Sequence, residues 1–419
     1  MKNVFSLFAL IAILLFACSD NPDPGVSYFE VAVEEGYIDF GSDAWIFIHN
    51  GNGDVLDAKP LSNGNITRFY ATIPEKKISV TIATQTYAGD ATHPPAIVFK
   101  SYLAVDTPAQ WTLKQNENST VNCGDTKGTV NIAINDAGVG ETFASCLSNP
   151  GYFSWPDYSL STSTALVYRP VEAKKLCDDF FLYVMGKDQQ PRYKVLNDIA
   201  PGTYNFSLAD LISFDQIIET SFPKPTWSNL TVKAFEATQS VYDPSTYINY
   251  DTKSVFETDF ATVRAGYLKT YTRYATTLDV FYLESHRFQY EEAPGVPAAI
   301  ALPLSFNPVV TDKNFSTYQY TANQTVAFRE SLFVYFSTVL TEYIMEWNVF
   351  ADGESPFKHP ATVPDAFLEK YPGLLVEKME HNFTRFYTQY KSLNELVDEQ
   401  YQAVPAPEAY KYVSKSVYH

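Results

Sequence analysis

Short apolar runs bounded by turn residues recur at regular spacing over positions 28 to 114 of the chain, and the first of them, Tyr28–Glu34, alternates apolar and polar residues. This period of two predicts β-strands, because successive side chains of a strand point to opposite faces. Asn50-Gly51 and Asn63-Gly64 separate runs, and such steps favour tight turns that need positive φ. The predicted strands are Tyr28–Glu34, Ala44–His49, Asp54–Ala58, Ile66–Ile73, Lys77–Thr84, Ala96–Ala104 and Gln110–Lys114. Seven short strands in one segment predict a β-sandwich domain over 28 to 114.

A second segment, 128 to 236, has the same pattern and predicts a second β-sandwich domain. It follows a polar stretch, 114 to 127, that we interpret as a linker. Its clearest predicted strands are Gly128–Ile134, Thr164–Tyr168, Asp179–Met185, Tyr204–Leu208 and Leu230–Glu236.

Residues 240 to 419 are less regular and predict a C-terminal β-rich domain. Pro364–Tyr371 and Ser392–Gln402 are typical of short helices, the first with an early proline and the second with an apolar stripe. Phe383–Tyr390 fits either a helix or an edge strand. The strands predicted in this region are Gly266–Tyr274, Thr277–Leu283, Ala299–Ser305, Ser316–Ala322 and Phe333–Phe350. The whole pattern predicts a mainly β protein of tandem immunoglobulin-like β-sandwich domains, with a few short helices near the C-terminus.

The N-terminal eighteen residues follow a different pattern. Lys2 is followed by an apolar run, Val4–Phe16, then Ala17, Cys18 and a polar stretch rich in Ser, Asp and Pro. A run of this length is too short to span a bilayer, which takes about 20 residues. The segment resembles the signal of a bacterial lipoprotein, although Phe16 stands where a smaller residue is usual.

That resemblance implies a signal peptide over 1–17, acylation of Cys18 and a lipidated tether over 18–27. The protein would then be exported and anchored to a membrane, at the outer membrane or cell surface of a bacterium, since two or three acyl chains anchor a protein stably. An ordinary secretory signal and an uncleaved anchor remain alternatives.

A second resemblance lies in the middle of the chain. The phrase Ile199–Leu208, with Pro-Gly-Thr-Tyr at its turn, resembles carboxypeptidase-regulatory-like β-sandwich domains of bacterial surface proteins. It implies a regulatory-like sandwich in this part of the chain.

The amino-acid composition restricts the kinds of partner that the protein can bind. The chain carries 48 acidic and 30 basic residues, for a net charge of −18, and this charge disfavours nucleic acid as a partner. Besides Cys18 there are three cysteines, Cys123, Cys146 and Cys177. If the compartment is oxidising, two of these cysteines could form a disulfide. The alternative is that they are buried free thiols.

Motifs for catalysis are missing from the sequence. It contains no Gly-x-Ser-x-Gly, His-Glu-x-x-His or Walker A pattern, and its six histidines are widely spaced. We therefore predict no catalytic residue, no metal site and no cofactor. Asn50–Asp54 has oxygen-bearing side chains suited to Ca²⁺, but a hairpin turn explains the same residues.

Aromatic side chains are the candidate ligand contacts. Trp155 lies in a loop-like segment, and Tyr267 and Tyr271 alternate on a predicted strand. Exposed rings of this kind stack on sugars or anchor interfaces, although the alternative that they fill the core stays open.

Three hypotheses follow for the function. The first is a non-catalytic envelope lipoprotein that binds a glycan or an envelope partner. The second is a secreted hydrolase that acts on glycans through two carboxylates in the C-terminal region. The third is a structural component of an adhesion or filament system, paired by strand exchange.

Overall fold

The computed structural model describes most of the chain beyond the N-terminal segment. The described residues are 25–39, 41–71, 74–90, 92–115, 123–137, 143–148, 153–154, 157, 159–176, 178–186, 188, 190–235, 237, 248–252, 255–256, 260–282, 286–360, 362–402 and 409–418. Among these residues, neither helix is long and apolar enough to cross a lipid bilayer.

Strands dominate the described residues, and the predicted mainly β fold class is confirmed. The N-terminal strands are β1 (Val26–Val33), β2 (Ala44–His49), β3 (Val55–Pro60), β4 (Ile66–Ala71), β5 (Lys77–Tyr87), β6 (Ala96–Asp106) and β7 (Ala109–Leu113). The middle strands are β8 (Thr126–Asn135), β9 (Phe143–Ser148), β10 (Phe153–Ser154), β11 (Ala165–Val167), β12 (Val171–Lys174), β13 (Phe180–Met185), β14 (Pro191–Leu196), β15 (Gly202–Ser207) and β16 (Ile212–Ser213).

The remaining strands lie in the second half of the chain. They are β17 (Gln216–Pro223), β18 (Trp227–Phe235), β19 (Ile248–Thr252), β20 (Val255–Phe256), β21 (Phe260–Tyr267), β22 (Arg273–Tyr282), β23 (His286–Ala293), β24 (Val309–Asp312), β25 (Gln319–Thr321), β26 (Phe328–Tyr335), β27 (Ile344–Asp352), β28 (Glu380–Gln389) and β29 (Tyr410–Tyr418). The helices of the described residues are α1 (Asp365–Lys370) and α2 (Leu393–Tyr401), with short 3-10 turns at Leu208–Asp210 and Val376–Lys378.

A twelve-stranded sheet forms the centre of the fold. Its strand order is β19-β18-β22-β23-β29-β28-β26-β27-β6-β5-β2-β3. The first sandwich contributes the last four strands, and β6 pairs in parallel with β27, where Phe99 faces Trp347. Strands from the two ends of the chain therefore share one continuous sheet.

The N-terminal sandwich is closed by a second sheet, β4-β1-β7, that packs on β2, β5 and β6. Phe29 and Trp111 meet edge to face at 5.1 Å inside this core. Helix α2 covers the same face and buries Leu393, while Tyr401 stacks on Trp111 at 4.6 Å. All seven strands predicted between 28 and 114 are present.

Strand β13 is buried on both faces. Leu182 and its alternate neighbours pack against β8, whereas Phe181 and Tyr183 pack into the core formed with β17, β21 and the large sheet. A strand covered on both sides needs apolar residues at every position, which explains the run Phe-Phe-Leu-Tyr-Val-Met.

The cysteine alternatives are partly resolved. Cys123 is disulfide-bonded, so the reading in which all three cysteines are free thiols is wrong. The side chain of Cys146 and the whole of Cys177 lie outside the described residues.

Several strand predictions in the C-terminal region are wrong. Residues 266 to 274 do not form one strand: β21 ends at Tyr267 and β22 begins at Arg273, and these strands belong to different sheets. Residues 299 to 305 form no strand, and 333 to 350 contain two strands separated by a turn. For 266–274 and 333–350, the pattern misled because residues of two separate strands face one core.

The two predicted helices are confirmed, and the ambiguous Phe383–Tyr390 is a strand. Ser392 forms a capping box with Glu395, whose carboxylate accepts from the Ser392 backbone at 2.8 Å. Strand β28 lies inside the sheet between β26 and β29 rather than at an edge.

His49 ends β2 in a fully buried position, with Nε2 3.3 Å from Thr81 Oγ1. Burial lowers the pKa of His49 to about 4 from its usual 6.5, since removal from water disfavours the charged ring. The folded protein thus binds this proton less readily than the unfolded chain, and its stability falls as the pH drops below 6.5.

We expect His49→Gln to weaken the acid sensitivity of folding. Between pH 7.5 and pH 5, His49 should account for about 2 kcal/mol of the lost free energy of unfolding. Urea denaturation at the two pH values measures this loss, and the pH difference within each variant removes any general destabilisation. The control is His93→Gln, at an exposed histidine. An unchanged pH difference in His49→Gln would contradict the assignment.

Candidate functional site

A row of small hydroxyl side chains crosses one face of the large sheet. Thr81 pairs with Ser101, and Ser331 pairs with Thr384, with Val349 between the two pairs. All four hydroxyl residues are buried. Their small size leaves room for large rings above the sheet, and their hydroxyls supply the hydrogen bonds that polar ring atoms need when buried.

Those rings come from the sheet itself and from the segment that covers it. Trp347 Nε1 donates to Ser101 Oγ at 2.7 Å. Thr384 Oγ1 lies 2.8 Å from the Tyr318 hydroxyl and 2.7 Å from His381 Nε2. Tyr318 directly precedes β25 of the β24–β25 hairpin. Its hydrogen bond to Thr384 therefore fixes the hairpin over β26 and β28.

Arg329 lies at the centre of this covered region. It is on β26, opposite Ala351 and Phe386, and only 5% of it is exposed. Its guanidinium carbon lies 5.5 Å from the ring centre of Tyr318 and 5.8 Å from that of Tyr320. Such cation–π contacts stabilise a cation only in part.

His359 orients the guanidinium. Its Nε2 lies 3.0 Å from Arg329 Nη1. Burial, together with the Arg329 charge, holds the pKa of His359 well below its usual range, so the ring is neutral at pH 7. We assign the imidazole proton to Nδ1, which makes Nε2 the acceptor of the arginine N–H. The ring also stacks on Tyr318 at 4.9 Å.

The loop that carries His359 rests on the Asn50–Gly53 turn. Asn50 Oδ1 accepts the backbone N–H groups of Asn52 and Asp54 at 2.9 and 3.0 Å, which confirms the predicted turn. Gly51 O accepts from Lys358 N at 3.1 Å. The N-terminal hairpin therefore supports a wall of the C-terminal site.

An open cleft of about 580 Å³ lies over Arg329. Its lining residues are Ser316, Thr317, Tyr318, Gln319, Tyr320, Arg329, Ser355, Pro356, Phe357, Lys358 and His359. The lining combines aromatic rings, hydroxyls, an amide and two cations, and it contains no carboxylate. A cleft of this size and composition suits a small polar ligand.

A second cavity of about 530 Å³ adjoins the first and shares Ser316 with it. Its walls are mainly apolar, with Phe315, Leu368, Leu374 and Met379 among them. It lies away from Arg329 and contributes a carboxylate, Glu377, but no cationic group.

No protein-family model matches this chain, and no curated protein matches its sequence. The site is therefore interpreted from its own residues.

The sequence-predicted ligand contacts lie elsewhere. Tyr267 is 1% exposed, and its hydroxyl is 2.9 Å from Thr276 Oγ1, so it is a core residue rather than a surface contact. Burial raises its pKa. Tyr271 is half-buried and packs against the same core. Trp155 and Cys18 lie outside the described residues, and their roles stay predictions.

Within the described residues, one cluster of three aspartates is spaced closely enough to hold a cation. Asp178, Asp179 and Asp198 each offer an oxygen within 4.8 Å of the others. Lys127 already forms an ion pair with Asp178, and Asp179 accepts the backbone N–H of Asp198 at 2.8 Å. These contacts account for the cluster as a structural one.

Sequence reasoning missed Arg329, His359 and the cleft. Arg329 is followed by Glu330 and Ser331 in the sequence, so it gave no signal that sets it apart from the arginines common in strands with one solvated face. Only the covering hairpin turns this arginine into a buried one.

We expect Gly53→Ala to loosen the wall of the cleft. Gly53 has φ +87°, and an added Cβ would lie 2.6 Å from the His359 carbonyl oxygen. Gly41 is the matched control, because its φ is +80° but no atom lies within 4 Å of an added Cβ. Both substitutions should cost about 1–2 kcal/mol through the left-handed backbone, and Gly53→Ala about 1–3 kcal/mol more through overpacking. Equal losses of unfolding free energy in urea would contradict this contact.

Proposed function

We propose that this protein is a membrane-tethered, non-catalytic binding protein of the bacterial envelope, and that its ligand is a glycan bound in the Arg329 cleft. The observation that carries the proposal is the cleft itself, which combines the aromatic rings of Tyr318, Tyr320 and Phe357 with hydroxyl and amide groups. Aromatic faces pack on the apolar faces of sugars, and the polar groups bond to their hydroxyls.

The absence of a carboxylate from the cleft lining supports binding rather than hydrolysis. A glycoside hydrolase of the common type needs two carboxyl groups on either side of the scissile bond. Histidine does not replace them here, because His359 already accepts from Arg329 and is neutral. The hydrolase alternative would therefore need a different site.

The strand-exchange alternative is less favoured at the β3 edge of the large sheet. This edge strand carries Asp57 and Lys59, which form an ion pair at 3.6 Å, and it ends at Pro60. Charged residues and proline are features that protect edges from pairing with another chain.

Membrane tethering is tested by labelling cells that express the full chain with a palmitate analogue. We expect label in the native protein and none in Cys18→Ala, because the cysteine thiol is the acylated group. Cys123→Ser controls for the loss of another cysteine and should keep the label. Equal labelling of the native and Cys18→Ala proteins would rule out this anchor.

Glycan binding is tested on an array with residues 25–419. We expect a restricted set of glycans to bind, and Tyr320→Ala to weaken that binding at least tenfold by removing a stacking ring. Tyr70→Ala, at an exposed tyrosine on β4, is the matched control and should bind normally. Release of shortened products from a bound glycan would instead favour a hydrolase.

A further inference from the structure

Arg329 is a buried cation that forms no ion pair with any described residue. Its Nε also has no hydrogen-bond partner there. Other arginines contact carboxylates, in the pairs Arg68–Glu30, Arg169–Asp157, Arg192–Asp188, Arg264–Glu219, Arg287–Asp279 and Arg385–Glu330. A buried charge without a counter-ion loses hydration and gains little in return. Burying Arg329 in this way therefore lowers the free energy of unfolding of the protein.

The charges around the cleft favour an anionic ligand, which would supply the counter-ion that Arg329 lacks among the described residues. The chain has 48 acidic and 30 basic residues, yet the lining contains Arg329 and Lys358 and no acid. Lys358 is exposed and has no ion pair with a described residue. Glu354 is the nearby acid that helps raise the pKa of Tyr320, but it does not line the cleft.

Arg329 is also held ready for an anion. The neutral imidazole of His359 accepts from one Nη, and Tyr318 and Tyr320 lie against the guanidinium. Because these contacts fix the planar group without neutralising it, its remaining N–H donors keep their full electrostatic attraction for an oxyanion.

We propose that the cleft binds a short acidic saccharide whose carboxylate or sulfate group forms an ion pair with Arg329. This inference rests on the proposed glycan-binding function and specifies the class of glycan. The cleft volume of about 580 Å³ is that of a site for a small ligand. A long polyanion is disfavoured, because the net charge of −18 repels it outside the cleft.

The test is isothermal titration of residues 25–419 with three probes: trigalacturonic acid, a monosulfated lactose and neutral galactotriose. We expect at least one acidic probe to bind ten or more times more tightly than galactotriose, with an affinity that falls as salt is added. The acidic probe that binds identifies the oxyanion as carboxylate or sulfate.

Arg329→Gln should abolish this preference, so that acidic and neutral probes bind alike. Arg329→Lys should retain part of this preference, because lysine keeps the positive charge but lacks the paired N–H donors of the guanidinium. Arg68→Gln, which removes an exposed, ion-paired arginine, is the matched control and should leave the preference intact. The melting temperature of Arg329→Gln should be unchanged or higher, since an uncompensated buried charge is lost.

The outcomes separate the two proposals. Equal binding of acidic and neutral probes by the native protein would overturn the ion pair and leave glycan binding standing. Binding of none of these probes and of no array glycan would overturn both. A marked fall in the melting temperature of Arg329→Gln, with the acidic preference kept, would make Arg329 a structural residue and would also overturn the inference.

Discussion

The fold depends on the parallel pairing of β6 with β27. Trp347 stacks on Phe99 at 4.4 Å across this ladder and donates to Ser101. Without the pairing, the N-terminal strands and the C-terminal strands would form two sheets, each with an unpaired edge. The pairing also sets where the site forms, since it brings the hairpin after β2 beside the loop that carries His359.

The first sandwich could be predicted from the sequence because its information is local. A short apolar run and the Asn-Gly turn that follows it define strands such as Ala44–His49, which the structure reproduces residue for residue. The capping box at Ser392 is likewise a local signal. In the C-terminal region the decisive contacts are distant: β29, with its alternating Tyr, Lys and Ser, is a central strand only because β23 and β28 flank it.

The site was beyond sequence reasoning for the same physical reason. Arg329 is buried by Tyr318 and Tyr320 from a separate hairpin, and His359 approaches from a third segment. No sequence spacing predicts that these three segments come together around Arg329. Conversely, the sequence left Tyr267 open as a surface ring or a core residue, because alternation does not tell which face of a strand is covered, and here the covered face holds the tyrosine.

The contact between the Asn50–Gly53 turn and the loop beyond β27 makes the cleft a late product of folding. Thr362 donates to Gly53 O at 2.9 Å across 309 positions of sequence. Contacts of such separation form only after a large loss of chain entropy. A ribosome therefore releases the supporting Asn50–Gly53 turn about 300 residues before the loop that rests on it. A fragment that ends before Ser316 therefore lacks every residue that lines the cleft.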